Sequence, residues 1–215
     1  MKLRIGALYA GQFYHVYNRG VDKRVIFHDD ADNLYFLTLM VALNQADRVR
    51  DLKKLLTYLQ VKALIDIPPS LLKEELVEIY AYSLVNNHFH LVLKELSRGG
   101  ISKFMMKVSS AYSHYYNFKY QRVGRLFSGA FKYTHIKSDA ALKNYIAYVS
   151  HNHEIHRTPR KYAFASSCEY DQKGFQVLFS KVDIMIESLF GNRKNFQKYS
   201  SEHVLRTLHE RDHRF

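Results

Sequence analysis

Apolar and polar positions alternate with a period of two in separate stretches of this chain. In residues 12–18, Phe13, His15 and Tyr17 fall on one side and Tyr14 and Val16 on the other, until Arg19-Gly20 ends the strand. Residues 79–84 read as a second strand, and the Asn86-Asn87 turn delivers the chain into a third. There His88, His90 and Val92 point one way, while Phe89, Leu91 and Leu93 point toward a core. Elsewhere the period is helical. A helix capped by Asp29 or Asp30 runs to about Gln45, with Leu34, Leu37, Val41 and nearby Leu43 as its apolar stripe. Leu52, Leu55, Leu56 and Leu59 form a second stripe, opposite Arg48, Arg50, Lys53 and Lys54, in a segment that ends near Pro68-Pro69. After Gly99-Gly100, Ile101, Phe104, Met105, Val108, Tyr112 and Tyr115 recur at the spacing of a core helix.

Residues 127–136 return as a strand, and Ser138 caps a helix that carries Leu142, Ile146 and Val149 inward. Two further amphipathic helices, over 181–190 and 195–208, are separated by Gly191. Strand, helix, hairpin, helix, strand, helix is the order of a ferredoxin-like α+β fold. It predicts an antiparallel sheet with helices on one face, an open face that carries the histidines, and a C-terminal helical extension.

Length and composition change the picture. At 215 residues the default is one main domain plus an appendage. Lys and Arg exceed Asp and Glu by 32 − 20 = 12, which points to a polyanionic partner, nucleic acid before membrane. A single cysteine, Cys168, excludes an intramolecular disulfide and fits a reducing cytoplasm; no apolar run reaches membrane-spanning length. With 17 Tyr and 14 Phe, the chain has rings to stack on unpaired bases, although most of them belong in the core. Tyr116, Lys119, Tyr120, Gln121, Arg122 and Arg125 form a basic, aromatic patch around Gly124.

His88 and His90 share a strand face with Cα atoms roughly 6.6 Å apart, so two ring nitrogens can converge on one metal ion at about 2.1 Å each. A bare His-x-His is more often an ordinary pair of surface or hydrogen-bonded histidines. On the helix after Ser138, Tyr148 and Asn152 share one flank, one turn apart, whereas Tyr145 lies nearer the apolar stripe.

The histidine strand after its Asn-Asn turn resembles the HUH single-tyrosine transposases, the insertion-sequence and REP-associated group. The likeness extends through Tyr14-His15-Val16-Tyr17-Asn18-Arg19-Gly20, Gly124-Arg125-Leu126-Phe127-Ser128-Gly129-Ala130-Phe131-Lys132, the helix with Tyr148 and Asn152, and Ser166, Ser167 and Tyr170. These elements stand in the family's order, over about residues 12–172. The resemblance implies a metal-dependent endonuclease and strand transferase that cuts single-stranded DNA beside hairpins. Tyr148 would be its nucleophile, with Tyr145 in reserve, and His88, His90 and Asn152 would hold Mg²⁺ or Mn²⁺. Imidazoles by themselves favour zinc, nickel or manganese over magnesium, so the chain does not fix the ion. Arg19, Lys119, Tyr120, Arg122, Arg125 and Lys132 are the DNA-contacting candidates. Residues 1–160 would form the transposase domain, with 47–70 as a helical insertion, and 161–215 the C-terminal extension. Family members include dimers that exchange the tyrosine helix as well as monomers.

Two other classes compete. A catalytically silent binder of structured DNA or RNA on the same fold would not need His88, His90, Tyr148 and Asn152 together. An unrelated metallohydrolase would need further ligands, and the chain has no Cys pair, Asp-rich cluster or His-Glu-x-x-His.

Overall fold

The computed structural model describes residues 8–47, 57, 74–156, 164–167 and 182–212. Its elements are β1 (Phe13–Arg19), α1 (Asp30–Ala42), β2 (Val77–Val85), β3 (His88–Glu95), α2 (Gly100–Lys119) and β4 (Lys132–Ile136). After these come α3 (Asp139–Ser150), α4 (Asn152–Ile155), β5 (Phe164–Ala165), α5 (Val182–Phe190) and α6 (Arg193–Asp212). One antiparallel sheet of five strands has the order β4-β1-β3-β2-β5, the α+β architecture expected from the chain. The expected 47–70 insertion lies outside the described residues, save for Asp47 and the helical Thr57, and so does Tyr170.

Local chemistry explains the boundaries. Asp29 caps α1 by accepting from the Asp32 amide at 2.9 Å, and Ser138 caps α3 by accepting from the Ala141 amide at 3.2 Å. No side chain at the start of α2 caps it. Instead the fully buried Glu95 carboxylate, at the end of β3, accepts from the Gly99 amide at 2.7 Å and the Ile101 amide at 3.2 Å. Glycine is required at 100, where a Cβ would stand 2.3 Å from the Leu76 carbonyl oxygen. At Gly191 the left-handed φ of 77° separates α5 from α6.

The two faces of the sheet bury different sets. Tyr14, Val16, Phe89, Leu91 and Leu93 pack with Phe36 and Leu37 of α1 and with Phe104, Val108 and Tyr112 of α2. Burying each such side chain contributes about 1.5–3 kcal/mol, so this layer anchors the strand that carries the histidines. On the opposite face Ala81, Val92 and Ile136 pack with Leu142, Ile146 and Val149 of α3, Ile186 and Phe190 of α5 and Phe196 of α6. That face is therefore open over a smaller area than expected. The reason is the apolar composition of the row through Ala81 and Val92, which needs a cover. The uncovered end holds Arg19 and Lys132, both exposed, with half-buried His88 between β1 and β2.

The two segments around Arg19 and Phe127 close on each other. Gly20 bridges Phe127, the Ser128 amide donates to the Arg19 carbonyl at 2.9 Å, and Asn18 Nδ2 donates to the Gly129 carbonyl at 3.0 Å. The predicted strand over 127–136 is shortened to β4 because its first residues make this junction. Ser166 has a comparable structural role, exchanging hydrogen bonds with the Tyr82 backbone at 2.6 and 3.1 Å and thereby fixing β5 beside β2.

Candidate active site

The strand registers bring the site together. Tyr17 lies opposite both His90 and Lys132, Arg19 opposite His88, and His15 opposite Thr134. Residues paired across antiparallel strands project to the same face, so His15, Tyr17, His88, His90 and Lys132 share one surface. The sequence put His15 and Tyr17 on one side of β1. What it lacked was the register that makes this the histidine side.

Both ring Nδ1 atoms of the histidine pair are engaged. Asn87 Oδ1 lies 2.6 Å from His88 Nδ1, and His15 Nε2 lies 2.8 Å from His90 Nδ1. The rings of His88 and His90 are 5.0 Å apart and edge-to-face. The His88 pKa is lowered to about 4, first by burial and then by the nearby His156 and Arg19, while the neighbouring Asn152 amide opposes the fall. His90 is held well below its ordinary value by burial and by its neighbours His15, His88 and His156, and burial alone puts His15 at about 4. All three imidazoles are therefore neutral near pH 7, the form that binds metals.

Tyr148 and Asn152 come to this surface from above. The Tyr148 ring is edge-on to His90 at 5.6 Å and to His15 at 6.0 Å. The Asn152 amide is fully buried without a well-formed hydrogen bond of its own, yet it lies close enough to His88 to oppose the fall in that ring's pKa. A buried amide left in this way is costly unless something else meets it. Two features differ from the helical expectation. The helix is interrupted at His151, whose φ of −113° and ψ of 18° put Tyr148 at the end of α3 and Asn152 at the start of α4. Tyr145 also reaches the site, stacked on His15 at 4.9 Å, because the sheet below α3 presents a ring to it. His156, one turn beyond Asn152, stands 4.7 Å from His88, and sequence reasoning missed it.

These residues could hold a divalent ion. Two imidazoles each keep Nε2, and one buried amide faces the same region; oxygen from phosphate and water would complete the shell. Among the described residues, no three His, Cys, Asp or Glu side chains are placed to share an ion. The set therefore depends on the amide and on substrate oxygen.

The proposed DNA contacts divide. Arg19 and Lys132 flank the histidines, and Arg125 is exposed near the junction with β1. Lys119, Tyr120 and Arg122 are on the other layer, at the end of α2. There Lys119 pairs with Asp29 at 2.8 Å and with the fully buried Asp32 at 2.7 Å, and the Tyr120 hydroxyl donates to Asp32 at 2.7 Å. Arg122 donates to Asn117 Oδ1 at 2.8 Å. The ring that stands in solvent here is Phe118, 89% exposed. Lys119→Ala should therefore cost about 1–3 kcal/mol of stability by removing a partner of a buried carboxylate. Thermal unfolding beside a DNA-binding salt titration checks this; weaker DNA binding at an unchanged melting temperature would contradict it.

A tyrosine and an amide poised over two neutral imidazoles on a basic sheet face form a candidate phosphoryl-transfer site. Residues 48–152 match the family model described as "Transposase IS200 like", and the family named from the sequence motifs is the one found. That stretch includes His88, His90, Tyr148 and Asn152 and leaves β1 outside. No curated protein matches the chain. Among solved structures, the one titled "Structure of the REP associates tyrosine transposase bound to a REP hairpin" is similar at 13% identity and a TM-score of 0.49, covering 77% of this chain and 82% of that one. Among the described residues no helix is long and apolar enough to cross a membrane.

Proposed function

We propose that this chain is a metal-dependent single-stranded DNA endonuclease and strand transferase that acts next to hairpins through a 5′-phosphotyrosine intermediate. The observation that carries this reading is the convergence of Tyr148 and Asn152, from the α3–α4 break, on His88 and His90 of β3. His88, His90 and Asn152 would hold Mg²⁺ or Mn²⁺. When bound, such an ion polarises the scissile phosphate and stabilises the charge that develops on it.

The chain's own groups do the rest. Arg19, Arg125 and Lys132 hold the backbone phosphates around the histidines. Tyr148 Oη attacks phosphorus, its proton passes to solvent, and the 3′-oxygen leaves and is protonated. The phenolate is a competent leaving group, so a DNA 3′-OH can reverse the step and join a new strand without ATP. Residues 1–160 act as the catalytic unit. The 161–215 extension braces α3: the Tyr199 hydroxyl donates to Asn144 Oδ1 at 2.8 Å, and Phe196 packs beside His151 at 5.8 Å.

Strand state tests the reading. A duplex base cannot splay against the sheet face, so cleavage should fall on single-stranded DNA beside a hairpin and be at least about tenfold slower on perfect duplex. The assay uses matched oligonucleotides from the flanks of the gene, with Mg²⁺ or Mn²⁺, on denaturing gels. Equal rates on both substrates would contradict the proposal. Tight hairpin binding without cleavage would assign the chain instead to silent binders of structured DNA or RNA.

A further inference from the structure

His15 has no part in the reaction as written, yet it is buried at the centre of the site, 6% exposed. Its ring stacks on His90 at 5.0 Å and 7°, on Tyr145 at 4.9 Å and on Tyr17 at 5.1 Å. Its Nε2 is 2.8 Å from His90 Nδ1. An imidazole–imidazole hydrogen bond requires one donor and one acceptor, so the proton between them decides which tautomer His90 adopts. If His15 donated, the proton of His90 would be on Nε2, the nitrogen left to meet a ligand. If His15 accepts, His90 Nδ1 carries the proton and Nε2 keeps its lone pair. His88 indicates which arrangement the site uses. Its Nδ1 faces the Asn87 side-chain oxygen at 2.6 Å; that oxygen only accepts, so the His88 proton is on Nδ1 and its lone pair on Nε2.

We propose that His15 is a positioning residue that accepts the His90 Nδ1 proton, so that β3 presents two Nε2 lone pairs side by side. The inference rests on the metal-site reading above. It makes β1, which lies outside the family match, a contributor to that site. The ring stack with Tyr145 ties the same residue to α3, so the tautomer and the approach of the tyrosine helix are set together. A merely structural His15 would join β1 to β3 and α3 without choosing a tautomer.

Two variants separate these roles in the full chain. His15→Phe keeps a flat ring in the stack but removes the acceptor; His15→Gln removes the ring but supplies a side-chain oxygen. The first readout is long-range ¹H–¹⁵N NMR of the histidine rings in metal-free protein. His90 should carry its proton on Nδ1 in the wild type and in His15→Gln, and on Nε2 in His15→Phe. The second is Mn²⁺ affinity by electron paramagnetic resonance. His15→Phe should bind at least about tenfold more weakly, and His15→Gln should recover most of that loss. A wild-type His90 protonated on Nε2, or equal Mn²⁺ affinities for the two variants, would overturn the proposal. His90→Ala is the control for the metal site itself. If it binds Mn²⁺ as tightly as wild type, the metal-site reading fails, while the NMR result still decides whether His15 sets the tautomer.

Discussion

Replacing His88 or His90 by alanine should lower DNA cleavage by about two to three orders of magnitude while hairpin affinity stays within about threefold. The two effects separate because the histidines and the phosphate contacts are different groups. In the proposed mechanism His88 and His90 would meet the scissile phosphate, and His90 is only 8% exposed. In that proposal affinity would come from cations around that point, Arg19 and Lys132 among them, each phosphate contact adding its salt-dependent increment without the imidazoles. Removing a neutral imidazole leaves no buried charge behind, so the fold should survive either substitution. Cleavage rates with Mg²⁺ or Mn²⁺, beside fluorescence anisotropy with a labelled hairpin, check both halves. Full cleavage by the His88→Ala, His90→Ala double variant would remove the metal site from the account.

Tyr148→Phe should abolish the covalent protein–DNA adduct and leave DNA binding unchanged. The substitution deletes only the hydroxyl, so the ring that lies edge-on to His90 at 5.6 Å and to His15 at 6.0 Å keeps its packing. Tyr145→Phe should still form the adduct. Its ring stacks on His15 at 4.9 Å and packs α3 against the sheet; the substitution retains that stack. A reduced rate is expected where the Tyr145 hydroxyl helps to seat α3. Denaturing gels of the two variants with a labelled single strand separate the tyrosines: an adduct from Tyr148→Phe would contradict the assignment.

Much of this site was legible in the sequence because it follows local rules. The period-two alternation put His88 and His90 on the face opposite Phe89, Leu91 and Leu93, and the core packs as that alternation requires. Capping by Asp29 and Ser138 was readable for the same reason, since a cap is a contact over three residues. What escaped depends on distant partners. Helical spacing placed Tyr145 nearer the apolar stripe, but the stack with His15 depends on where β1 lies in the sheet. The Lys119 and Tyr120 patch looked like a nucleic-acid surface, yet Asp32, almost ninety residues away in sequence, takes both polar groups. Tertiary pairing of that kind has no sequence period. Nor does the break at His151, which changes the relation of Tyr148 to Asn152 from one helical turn to two adjoining helices.

The covering of the second sheet face has a similar origin. The C-terminal helices were legible as amphipathic segments, but not which surface their apolar sides would meet. Ile186, Phe190 and Phe196 meet the row through Ala81 and Val92, and among the described residues this covers the sheet away from the histidine end. Among the described residues, His88, His90 and Lys132 thus stand at the uncovered end of this face, where the proposed function would place the DNA strand.

In the proposed reaction Tyr148 forms a covalent bond to DNA. Wild-type protein, incubated with single-stranded DNA that carries a hairpin from its own flanks and then digested, should yield by mass spectrometry a peptide with nucleotide 5′-phosphate on Tyr148. Phosphate on Tyr145 or another residue, or cleaved DNA with no protein-linked product, would contradict the account.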